Sequence, residues 1–161
     1  RLRHPQQPRE HAPHRRARRE GASGAAPQAD FGWKDPAIRF LDGVRSCDPA
    51  TGELVGTYVY PADHPFTVGH FPAAAIMMGV TQWAAVADAG YEAAQRCALG
   101  PRVQVDGGIR KSDGSEVVDV RELILDCSGD SPVVEATKRV AFRAPVRPGD
   151  GLVITVQVRS C

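Results

Sequence analysis

The sequence predicts an α+β protein, an antiparallel sheet wrapped around one long central helix. Three observations predict it. Residues 73–87 run without a single charge and with alanine at high density, the composition of a helix buried on nearly every side. The segments around that run alternate apolar and polar residues or are dense in β-branched and aromatic ones, as strands are. Turn residues separate the segments, and no internal repeat is present.

In chain order, the folded part begins near Phe31-Gly32-Trp33. Asp35-Pro36 reads as a helix start, with proline in the first turn and a short helix over residues 37–41. Residues 43–47 and 53–60 read as strands, and Asp48-Pro49-Ala50-Thr51-Gly52 joins them as a hairpin. Pro61-Ala62-Asp63-His64-Pro65 breaks the second strand. The central helix is expected over residues 75–99, with Gly100-Pro101 ending it. A bilayer span needs roughly 20 apolar residues. Here Gln82 lies inside the run and Asp88, Glu92 and Arg96 follow at helical spacing, so the helix is read as buried in protein. Residues 102–110 make a weak strand, interrupted by Gly107-Gly108. Residues 116–127, 133–143 and 152–158 read as stronger strands. The last sets Leu152, Ile154, Val156 and Val158 against Val153, Thr155 and Gln157.

The net charge of +1 makes no strong electrostatic claim on nucleic acid. Residues 1–29 hold seven arginines and two glutamates with almost no large apolar side chain. Such a segment cannot bury enough surface to offset chain entropy, so it is expected to be a disordered Arg-rich leader before a domain over 30–161. It lacks the interleaved aromatics of a nucleic-acid arm and the apolar stretch of a secretory signal. Cys47, Cys97, Cys127 and Cys161 show no metal-ligand spacing, and free thiols in a reducing cytoplasm are expected. No metal, no redox cofactor and no membrane span follow as expectations.

Gly69-His70-Phe71-Pro72, followed by Ile76-Met77-Met78-Gly79-Val80, resembles the active-site signature of the 3-hydroxyacyl-[acyl carrier protein] dehydratases of fatty acid synthesis, which have the hot-dog fold. Ile38-Arg39-Phe40-Leu41-Asp42-Gly43-Val44 resembles that family's opening. Residues 138–142, then Pro145-Val146-Arg147-Pro148-Gly149-Asp150 and an alternating strand, resemble its strand–loop–strand after the helix. The resemblance covers roughly residues 35–100 and 133–159, in the right order. Residues 101–131 stand as an insertion long enough for one or two strands. The family would continue beyond Cys161 with two more strands, so truncation there is the expectation, with substitution by the inserted strands as the alternative.

The resemblance implies a sheet curled round the helix, a dimer with an acyl tunnel at its interface, and a substrate carried on acyl carrier protein or coenzyme A. It assigns His70 as the base and the amide of Gly79 as the group polarising the thioester carbonyl. An imidazole titrates near neutrality, and helix N-terminal amides carry positive partial charge, so both roles are chemically sound. Phe71, Met77, Met78, Gln82 and Trp83 are the candidate substrate-binding residues, with Gln82 also able to orient a water. The sequence departs from the family at Ala84, where a glutamate or aspartate stands, and at Ala73, Ala75 and Met78, where glycine, proline and proline are usual. Asp88 lies one turn beyond Ala84 on the same face. Arg143 and Arg147 read as solvated charges or as contacts for an acidic carrier. Dehydration of 3-hydroxyacyl-[acyl carrier protein] is the leading expectation. A hot-dog thioesterase and a catalytically degenerate acyl-binding or heterodimer subunit are the alternatives.

Overall fold

The computed structural model describes residues 38–63 and 76–161. The leader over 1–29, the start of the short helix and the His70 motif lie outside the described residues.

Strands β1 (Gly43–Asp48) and β2 (Glu53–Val59) form the expected hairpin. In its turn, Asp48 accepts the Ala50 amide at 2.9 Å and the Thr51 hydroxyl at 3.0 Å. Helix α1 (Gly79–Arg96) follows, then β3 (Arg102–Lys111), β4 (Glu116–Asp126), β5 (Val133–Phe142) and β6 (Gly151–Ser160). All six strands join one antiparallel sheet in the order β1-β2-β6-β3-β4-β5. An α+β protein results.

One face of the sheet is the core. It presents Leu54 and Tyr58, then Leu152, Ile154, Val156 and Val158, then Val103, Val105 and Ile109, all buried. The alternation expected for β6 is therefore observed. On β4, Val118 and Val120 face the same side as Leu123 and Leu125, although the spacing between the pairs is odd. A bulge opposite Asp106 inserts the extra residue; Glu122 takes φ 49° there, and its amide donates to Asp106 at 2.8 Å. Helix α1 packs across this face, most closely on β6, and touches β2, β3, β4 and β5 as well. Its alanines 84, 85, 87, 89, 93 and 94 are all buried, so the helix backbone sits close to the sheet.

Four expectations change. Residues 38–41 form no helix: the Phe40 amide donates to Asp88 on α1, and the Phe40 ring meets Tyr58 edge-on at 5.9 Å. These contacts tie the segment to α1 and β2. The central helix starts at Gly79, because Met77 gives its amide to the Val146 carbonyl and Met78 is extended. It ends at Arg96, where Ala98 at φ 52° reverses the chain ahead of Gly100. Gly107 and Gly108 do not interrupt β3. They let neighbouring strands approach, since a Cβ on either would lie 2.5 Å from a carbonyl oxygen of Thr155 or Val118. Residues 101–131 contribute β3 and β4, which sit inside the sheet between β6 and β5. Among the described residues no helix is long and apolar enough to cross a membrane.

Candidate functional site

The N-terminus of α1 is built from three pieces of chain. Residues 76–78 arrive extended, with Met78 as N-cap at φ −60° and ψ 147°. The loop between β5 and β6 passes beside them, and its Val146 carbonyl accepts the Met77 amide at 2.8 Å. Phe142, at the end of β5, lies over Gly79. The Met78 carbonyl accepts the amides of Thr81 and Gln82 at 3.0 and 3.1 Å and the Thr81 hydroxyl at 2.6 Å. Among the described residues no side chain caps the helix, and no acidic residue occupies its first turn. First-turn amides without a side-chain acceptor carry positive partial charge.

That end opens onto a pocket of about 390 Å³ lined by Ile76, Met77, Gly79, Gln82 and residues 142–145. Phe142 is 55% exposed, an unusual position for a phenylalanine, and forms one wall. Gly79 keeps the wall close: a Cβ there would meet the ring at 3.0 Å. Among the described residues Arg143 is the one charged side chain in the lining, and it pairs with Glu116 at 3.3 Å. Gln82 is 4% exposed. Its Nε2 donates to the Met77 carbonyl over a long 3.4 Å, and among the described residues its Oε1 has no partner. A buried carbonyl oxygen without a donor costs stability, and its place in a pocket wall gives a ligand something to bond.

A second groove of about 420 Å³ lies over Gly107 and Gly108. Its charges are satisfied internally, Arg110 by Glu116 at 3.6 Å and Arg121 by Asp119 at 2.8 Å. The helix-end pocket, with its uncapped amides and unsatisfied glutamine, is the better candidate.

The structure thus brings together Met77, Gly79 and Gln82 of the residues singled out from sequence. Met78 supplies the cap, and Trp83 packs half-buried against the core; neither lines the pocket. His70 and Phe71 lie outside the described residues. Ala84 is buried at 2% exposure and brings no acid. Asp88 is buried and receives the Phe40 amide, nine residues along α1 from Gly79. At 1.5 Å per residue that is about 13 Å from the helix start. Phe142 and Arg143 join the wall from β5. Sequence reasoning missed Phe142, which looked like any apolar strand residue; only an aromatic at the strand's last position signalled it.

No protein-family model matches the chain, and no curated protein matches it.

Proposed function

We propose that the chain processes acyl thioesters on a hot-dog fold, most like the dehydration of a 3-hydroxyacyl thioester to the trans-2-enoyl thioester. The observation that carries the reading is the N-terminus of α1, without a side-chain cap among the described residues, opening onto a largely apolar pocket. A thioester carbonyl placed there would meet the first-turn amides at Gly79, which favour enolate character on its oxygen. Ile76, Met77, Phe142 and Pro145 would lie along the acyl chain. His70, eight residues before the cap, is the base that takes the proton from C2. A helix packed on five strands of an antiparallel sheet supports the fold assignment. The substrate would arrive on acyl carrier protein or coenzyme A, with a second subunit, identical or not, completing the tunnel.

Loss of hydroxide from C3 needs a proton donor. Ala84 offers none, and among the described residues no carboxylate lines the pocket. Hydrolysis is the second reading, and the unsatisfied Gln82 Oε1 favours it, since a carbonyl oxygen can accept from and orient an attacking water.

Two assays separate the readings. The lyase reading expects hydration of a crotonyl thioester, increased in Ala84→Glu. The hydrolase reading expects release of free thiol from acyl-coenzyme A. Both expect His70→Ala to abolish the activity, and full activity in that variant overturns the site. Neither activity in a folded chain that still binds acyl thioester leaves the acyl-binding subunit as the function.

A further inference from the structure

Cys47 and Cys97 stand 50 positions apart in the chain, yet their sulfurs are 3.5 Å apart. The contact is built by the fold. Cys47 is held on β1 opposite Leu54 of the hairpin. Cys97 is the C-cap of α1, its amide bonded to the Ala93 carbonyl at 2.9 Å. Both residues are half-buried. The other two cysteines differ: Cys127 is buried and Cys161 is exposed beside Arg102.

We propose that Cys47 and Cys97 are a disulfide-forming pair, a modification site that takes a low-molecular-weight disulfide as its oxidant and cross-links β1 to the end of α1. The thiolate of Cys47 attacks one sulfur of the small disulfide, forming a mixed disulfide and expelling one thiolate, which takes up a proton. Cys97 loses its proton to solvent, attacks the Cys47 sulfur and expels the second thiol. Two protein thiols are oxidised while one disulfide is reduced to two thiols. Burial, then the hydrogen bond to Cys47, hold the proton on Cys97. The sulfurs, 3.5 Å apart, need to close to about 2.0 Å for the bond to form. The cross-link lies at the opposite end of the 18-residue helix from the pocket, about 27 Å away at 1.5 Å per residue. It is therefore independent of the thioester reading.

The test uses the full chain, incubated with excess oxidised glutathione in mildly alkaline buffer, quenched with an alkylating agent and mapped by mass spectrometry. An intramolecular Cys47–Cys97 peptide pair, released by dithiothreitol, is expected. A higher melting temperature should accompany it and should be absent in Cys47→Ser and Cys97→Ser treated alike. Recovery of Cys47 and Cys97 alkylated, or each carrying its own glutathione, while Cys161 is glutathionylated, overturns the proposal. Because the wild-type map decides by itself, a poorly folding serine variant does not weaken the test.

Discussion

The backbone amide of Phe40 donates to Oδ2 of Asp88 at 2.8 Å, joining the approach to β1 to the middle of α1 across 48 positions of sequence. Both residues are buried, at 0% and 1% exposure. Arg39, beside Phe40, lies 5.1 Å from the Tyr91 ring centroid, so two successive residues dock on the same helix. The carboxylate therefore has a structural task. Asp88→Ala should destabilise by about 1–3 kcal/mol, the cost of stranding a buried donor. Asp88→Asn, whose amide oxygen can still accept, should cost less. Urea unfolding of the two variants checks the order; equal losses would mean that the Phe40 bond is not what matters.

Most of the architecture was legible in the sequence. Leu152, Ile154, Val156 and Val158 alternate without a break, so β6 was readable from period alone. The uncharged alanine-rich run announced the buried helix. Its start was not legible, because Met77 is fixed by the carbonyl of Val146, a partner 69 residues away that no local pattern encodes. The segment over residues 38–41 failed for the same reason: proline chemistry suggested a helix, and a distant carboxylate takes the Phe40 amide instead. For the site, Met77, Gly79 and Gln82 were found through a motif, whereas the wall from Phe142 depends on where β5 ends relative to α1.

Gln82 separates stability from function. Gln82→Met keeps the volume and removes a buried oxygen that has no donor. The variant should be as stable as the parent or more stable, by up to about 1–3 kcal/mol, while acyl-thioester binding weakens. Thermal melts paired with ligand titration check both halves. A clear loss of stability would show that the glutamine serves the fold instead.

Two glycines should respond oppositely to the same change. In Gly79→Ala the new methyl meets the Phe142 ring at 3.0 Å, and that ring is exposed and free to swing outward. Stability should stay within about 1 kcal/mol, with the pocket reshaped and ligand affinity reduced. In Gly107→Ala the methyl would lie 2.5 Å from the Thr155 carbonyl oxygen, which is backbone of the central strand. The sheet must shift, at a cost of about 1–3 kcal/mol. Comparing denaturation midpoints of the two variants tests the contrast.

The loop behind the pocket carries a pH signature. The Arg147 amide donates to Asp150 Oδ2 at 2.9 Å, and Lys111 approaches the same oxygen at 3.2 Å. The amide first, and more weakly the ammonium, hold the Asp150 carboxyl below its usual range against the opposing push of burial. A pKa lowered by folding stabilises the native state above the unfolded value, about 3.9, and the gain is lost as pH falls through the folded value. Asp150→Ala should thus melt below the parent at neutral pH, with the gap narrowing as pH falls below the unfolded value. A gap constant across that range would assign the loss to packing.

The end of α1 offers a stabilising change. The Leu99 amide bonds to the Ala94 carbonyl at 3.0 Å and the Ala98 amide to the Gln95 carbonyl at 3.3 Å, the pattern that closes a helix through one left-handed residue. That residue is Ala98, at φ 52°. An L side chain there costs roughly 1–2 kcal/mol, and glycine would relieve it. Against this, glycine gives the unfolded chain more freedom, worth about 0.5–1 kcal/mol. Ala98 is exposed, so no packing is lost. Ala98→Gly should therefore stabilise by about 0.5–1 kcal/mol, read as a higher urea midpoint at unchanged slope. A lower midpoint would mean that the unfolded-state entropy outweighs the relieved strain, or that Gly100 already provides the reversal in solution.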